Sequence, residues 1–367
     1  SAYIRSLGAV RLHLEGFLSR FEVELLTKIA ELIPLHIKVT ISAYNQKMVL
    51  LFADLGIHLE QNNAYEINLS TKEILEVTPQ NSIKHDAHVY GFSSRLAQMS
   101  YVQSTIAQFV EEGLSPEEIV VILPDERFAE VMRPFDTWHN LNFAMGISLK
   151  QSSFYQRLSA LEKAMRNDEI EDHLRLTRLK IESEMIALCK ELWHQKIPCE
   201  RAMEFFGTLL ACDVKEQQNT LFQEAFFAFT HFLKHAPALR FEQVVKLFLN
   251  RLAAMSQDDV RGGKVTVLGV LETRGVAYKG VIVVDFNDEF VPKRSQKDLF
   301  LSSAVRSLAG FPTKRDRENL QRYYYHQLFN HAQKIAIAYV KNETSMPSRF
   351  LDELGFSTSI MADEKAL

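Results

Sequence analysis

The chain is poor in cysteine, with only Cys189, Cys199 and Cys212 among its 367 residues. Three thiols cannot all pair, and their spacing matches no CxxC or zinc pattern. All three fall in helix-like sequence and are expected to be buried free thiols of a reducing compartment, the cytoplasm. Long hydrophobic runs are missing too: none approaches the roughly 18 apolar residues that span a bilayer, so no membrane partner is expected. The start, SAYIRSLGAVRLHLEGF, has neither the basic n-region nor the continuous apolar core of a signal peptide. The phosphate cradle GxxxxGK[ST] is absent. Gly262-Gly263-Lys264 runs into Val265 and has Asp258 at the first glycine position, which reads as a turn before a strand. His231 and His235 lack the glutamate of HExxH, and His85, Asp86 and His88 have no further ligands at motif spacing. No metal and no cofactor are expected in this chain.

What is present is ordinary in bulk and uneven in detail. A 47% hydrophobic and 24% charged composition suits a globular chain long enough for two or three domains. The net charge of −4 hides a segregation. Residues 261–350 carry 15 Lys/Arg against 8 Asp/Glu, whereas residues 1–260 carry 26 against 34. A basic segment on an acidic chain is the footprint of a localised phosphate-binding surface.

Hydrophobic patterning divides the chain. The runs VRLHL (10–14) and IKVTI (37–41) predict strands flanking an amphipathic helix over 21–32, a β-α-β rhythm of a parallel sheet. Residues 60–85 are polar and weakly periodic and predict one short element at most. A strand is predicted at 89–92 and helices over 96–112 and 127–135, with IVVILPD (119–125) between them as a buried parallel strand. Residues 154–256 carry helical stripes such as Leu158, Leu161, Met165 and Phe222, Phe226, Phe229, Leu233, and no strand is evident there. The β-α character then resumes with KVTVLGV, VIVVDF, a helix over 316–333 and KIAIAYV. Tyr323–Tyr325, Trp138 and Trp193 are expected to be buried. Gly275 is expected to supply a positive φ or close packing in its turn.

The segment Val265–Tyr339 resembles the last two signature motifs of UvrD-like superfamily 1 helicases. Thr273-Arg274-Gly275, the strand 281–285 and the turn 287–292 follow in the order of those enzymes. LHLEGF (12–17) is similar to their magnesium-binding strand and ISAYNQ (41–46), with Gln46, to the motif after it. The wording LETRG, then FL, the turn Gly310-Phe311-Pro312 and RDRENLQRYYYHQL, looks most like the AddB-type subunits of bacterial helicase–nuclease complexes. The resemblance runs through residues 7–60 and 90–155 and is densest over 262–350.

That likeness implies an α/β fold: a RecA-like parallel-sheet helicase domain (86–155 plus 262–350) with a large all-α insertion (156–261). Residues 1–85 would be a remnant of a first RecA-like domain with a linker, and 351–367 a tail toward a nuclease domain outside this sequence. With Ser1 instead of Met at its start, the chain is expected to be a piece of a longer protein. The ATP positions depart from the family: Glu15 stands for an Asp, Gly16 for the catalytic Glu, Ala277 for a sugar-contacting Glu and Asn330 for an arginine at the γ-phosphate. Glycine cannot accept a proton and asparagine carries no charge, so no catalytic activity is expected. The implied role is in DNA double-strand-break repair. The chain would bind or guide single-stranded DNA or a duplex end and brace a helicase–nuclease motor subunit. Thr273 and Arg274 are the family's DNA-side turn, and Lys293, Arg294, Lys297, Arg306, Lys314, Arg315 and Arg317 form the basic run available to phosphates. Two other readings are a scaffold without DNA contact and a trimmed active helicase.

Overall fold

The structure, a computed structural model, describes residues 2–80, 86–167, 169–258, 262–293, 301–356 and 360–362. The chain forms two compact units, one of Ser1–Phe143 with Arg261–Leu367 and one of Ala144–Val260. It is a mixed α/β protein.

The first unit opens with a four-stranded sheet in the order β1 (Val10–Leu14), β2 (Leu35–Ile41), β3 (Asn63–Asn68), β4 (Glu73–Pro79). β1 and β2 are parallel, as the β-α-β rhythm predicts, and the helix Arg20–Ala30 joins them. A reciprocal Ser19–Glu22 capping box starts that helix. Leu35, Ile37, Val39 and Ile41 alternate into the core. β3 and β4 pair antiparallel in a region whose polarity predicts one element at most. β4 escapes pattern reading because all seven of its residues are exposed on the sheet edge.

The main sheet has seven strands, all parallel. In chain order they are β5 (Asp86–Phe92), β6 (Ile119–Ile122), β7 (Leu141–Phe143), then β10 (Val265–Leu268), β11 (Gly280–Val283), β12 (Lys334–Val340) and β13 (Ile360–Met361), after β8 (Ile147–Ser148) and β9 (Ser256–Gln257) of the other unit. Their spatial order is β13-β5-β12-β11-β6-β10-β7. Val281 aligns with Val120 on one side and Ile335 on the other, and every residue of β6 and β11 is buried. Continuous apolar runs are what a sheet covered on both faces requires.

The C-terminal ends of three strands are clamped by one polar group. Asp285, fully buried, adopts a left-handed φ of 50° beyond β11. Its carboxylate accepts from Arg95 Nε and Gln98 Nε2, both at 2.8 Å, and its amide donates to Gln98 Oε1. Arg95, beyond β5, also donates to Asp125, beyond β6, and lies over the rings of Phe128 and Phe290. Burial pushes the Asp285 carboxyl up, and Arg95 opposes that shift.

The second unit is helical from Ser153 to Ala253, closed at its base by the antiparallel β8–β9 pair. The predicted stripes face its core, where the Phe248 ring packs against Phe206 and Phe229 with centroids 4.8 and 4.6 Å away. Among the described residues no helix is long and apolar enough to cross a membrane.

Two burial expectations need correction. Trp193 is buried, but Trp138 is 85% exposed. The buried Asp136 carboxylate accepts the Asn140 and Leu141 amides, which folds a tight loop that turns the indole outward. Among the cysteines only Cys189, inside the helix Ser183–Leu192, is buried; Cys199 is half-buried at the first position of the helix Cys199–Leu210, and Cys212 is exposed in the turn that follows it.

Replacing Arg95 by Ala strands the Asp285 carboxylate and is expected to cost about 3 kcal/mol in urea unfolding, the low end for a broken buried pair because Arg95 is partly solvated. Asp285→Asn should cost less than Arg95→Ala, since asparagine tolerates the left-handed backbone.

Candidate functional site

Two separate places gather the residues singled out by sequence. The first is a cleft of about 260 Å³ beside β1, lined by Glu15, Lys38, Arg274, Ala277, Tyr324 and His331 among others. β1 ends directly before Glu15 and Gly16. Gly16 has φ of +112°, and a Cβ there would lie 2.8 Å from Leu320 Cδ1 and 3.2 Å from the Tyr324 hydroxyl. The backbone therefore favours glycine, and any side chain here would be strained and would displace the ends of Leu320 and Tyr324, both carried by the helix Lys314–His331.

Glu15 is the one carboxylate lining the cleft among the described residues. Burial raises its pKa above the ordinary value, against the opposing pull of His13, His331 and Arg274. His13 Nε2 lies 3.5 Å from it. Arg274 folds back on its own turn, donating from Nε to the Leu271 carbonyl at 2.6 Å with its guanidinium 5.7 Å from the Tyr324 ring centre. Gly275 has the positive φ expected of it, at +76°.

Thr273 also lines the cleft; it is only 6% exposed, and its hydroxyl donates to the Val270 carbonyl at 2.7 Å, which holds the turn. Ala277 contributes only a methyl group to the cleft. Asn330 lies in an adjoining cavity of about 390 Å³ that shares Thr40 and Gln80 with the cleft, and its amide contacts His326 Nδ1 at 3.2 Å. Gln46 opens the helix Gln46–Asp54 on the surface and lines neither cavity. Among its described residues the cleft thus holds one acid with a raised pKa beside Lys38 and Arg274, and no second acid to pair with it for activating water.

The second place lies at the C-terminal edge of the main sheet. A cavity of about 230 Å³ is lined by Lys293, Lys314, Arg317 and Arg349, with Asp288 and Glu318 between them. Lys293 follows β11, Lys314 and Arg317 belong to the first turns of the helix Lys314–His331, and Arg349 follows β12. Loops beyond the carboxyl ends of parallel strands are where α/β sheets take ligands. Gln321 fixes the Lys293 backbone by accepting its amide at 2.6 Å and donating to its carbonyl at 3.3 Å. Glu318 anchors Arg349 at 2.9 Å. Among the described residues no carboxylate pairs with the Lys293 ammonium or the Arg317 guanidinium.

The basic run is therefore divided. Lys293, Lys314 and Arg317 converge, Arg315 is exposed outside the cavity, and Arg306 donates to the Pro312 carbonyl at 3.4 Å. Arg294 and Lys297 lie outside the described residues, as does His85. Arg349 was not foreseen, because MPSRF carries no basic cluster. Asn287 brings it in: its buried amide donates to the Val340 and Met346 carbonyls and its oxygen accepts the Val340 amide, tying the segment after β12 to the end of β11.

The rings of His231 and His235 lie 4.8 Å apart, tilted by 56°, on an exposed helix face. Among the described residues no cluster of three or more His, Cys, Asp or Glu side chains could hold a metal. Comparison with family models and with curated proteins gives no match to this chain.

The raised pKa of Glu15 has a definite sign. In the fold the carboxyl keeps its proton to higher pH than in the unfolded chain, so its contribution is full below about pH 4 and declines as pH rises through the folded value. Glu15→Gln, which cannot ionise, is expected to raise Tm at pH 7 relative to the parent chain. Thermal melts should show that gain disappearing below about pH 4.

Proposed function

We propose that this chain is the ATP-inactive, helicase-like portion of a DNA double-strand-break repair helicase–nuclease subunit. It holds or guides a DNA strand and braces a motor partner, in the cytoplasm, on a RecA-like domain. The observation that carries this reading is the convergence of Lys293, Lys314, Arg317 and Arg349 on one cavity at the carboxyl edge of the parallel sheet. Strand-binding proteins meet the phosphate backbone with such groups. The glycine at position 16, on a backbone at φ +112° beside a lone described carboxylate, supports the absence of ATP turnover.

The scaffold reading is favoured by a different observation. Glu318 also lies within 3.8 Å of Lys314 and Arg322, so part of the positive charge is compensated internally. The two readings separate on salt dependence. The chain is expected to bind single-stranded oligonucleotides with affinity that falls steeply as salt rises. Replacing Lys293, Lys314 and Arg317 together by Ala should reduce the log–log salt slope by about 2, from roughly 0.7 per phosphate contact on a single strand. Absence of binding at low salt, or an unchanged slope in the triple variant, gives the scaffold reading the field. ATP hydrolysis above background, with or without DNA, would contradict the inactive-motor part.

A further inference from the structure

We infer that the cavity formed by Lys293, Lys314, Arg317 and Arg349 receives a phosphate monoester, the terminal phosphate of a nucleic-acid strand. This rests on the DNA-binding reading and narrows it from a track along a strand to a socket for its end.

Three features carry the inference. The four cations come from three separate segments and meet around one concavity of about 230 Å³. A site that followed a strand would spread them along a groove. Charge matches as well. Among the described lining residues four cations against Asp288 and Glu318 leave two positive charges, and a phosphate monoester near pH 7 carries about −1.5 to −2 where a backbone phosphodiester carries a single charge. The lining is the third feature. Among the described residues its remaining member is Pro292, with no aromatic ring to stack a base and no amide side chain to read a base edge. A socket of this composition recognises the phosphoryl group and leaves the base outside.

The cations are also held in different ways that suit the task. Gln321 pins Lys293 through its backbone and leaves the ammonium unpaired by any described carboxylate. Glu318 orients the Arg349 fork, while Arg317 has no described acidic partner. Two guanidinium groups give directional, charge-assisted hydrogen bonds to phosphate oxygens. Thr313 and Asp316 already cap the start of the helix through reciprocal hydrogen bonds, so recognition falls to these side chains.

The test compares fluorescence anisotropy of oligonucleotides of one sequence that carry a phosphate at one end, at the other end, or at neither. One phosphorylated end is expected to bind about tenfold more tightly than the hydroxyl end, equivalent to about 1.4 kcal/mol. That ratio should collapse toward one in the Arg317→Ala, Arg349→Ala double variant, with circular dichroism verifying its fold. Inorganic phosphate should compete selectively against the phosphorylated oligonucleotide. Equal, salt-sensitive binding of all three oligonucleotides would overturn the socket and leave the DNA reading standing. No binding of any of them would overturn both. A preference that survives the double variant removes the site assignment. A phosphoserine peptide bound as tightly as the phosphorylated oligonucleotide would overturn the nucleic-acid assignment in favour of a modified protein.

Discussion

Three consecutive tyrosines cannot share one face of a helix, because successive side chains diverge by about 100°. In the helix Lys314–His331 all three are nevertheless buried, so the helix must be covered on several sides. Tyr325 packs edge-on against Phe286 above the main sheet. Tyr323 points to the Thr40 carbonyl at the end of β2, in the other sheet of the same unit. Tyr324 closes the cleft over Gly16 and receives Arg274 on its ring. The same helix supplies Lys314, Arg317 and Glu318 to the basic cavity and reaches Lys47 through Asp316 at 2.7 Å. Both sheets of the unit and both candidate cavities are therefore referred to one rod, and their spacing depends on its packing.

This arrangement separates two electrostatic environments. In the cleft, burial raises the Glu15 pKa although Lys38 and Arg274 line the same space. At the carboxyl edge of the sheet, side-chain cations outnumber acids and stay open to solvent. The Asp285 clamp sits at that same edge but turns its charge inward, onto Arg95 and Gln98. Neighbouring polar groups thus do different work: one set fixes the strand ends and another remains available to an anion.

Legibility from sequence followed burial. β1 and β2 announce themselves by alternation, β6, β11 and β12 by short continuous apolar runs, and the helices of the second unit by apolar residues at helical spacing. β4 was hidden because no face of it is buried, and alternation has nothing to report. Trp138 was misjudged because residue type implies burial only when the loop permits it, and Asp136 turns this loop outward. The converging lysines and arginine lay within a visible basic segment. Arg349 joined them through Asn287, a contact spanning 59 residues to Met346 that no local pattern encodes. Asp285 read only as the end of a strand. Its pairing with Arg95, 190 residues away, is again a property of topology.

The backbone at Gly16 sets what mutation can do there. A single base change can install an alanine or a carboxylate in many glycine codons, but at φ +112° either side chain is strained, and its Cβ would press on the ends of Leu320 and Tyr324. Both belong to the helix that packs against the two sheets and lines the cationic cavity, so an adjustment at this turn is passed to that helix. The turn is open to codon change and resists accommodation through its backbone.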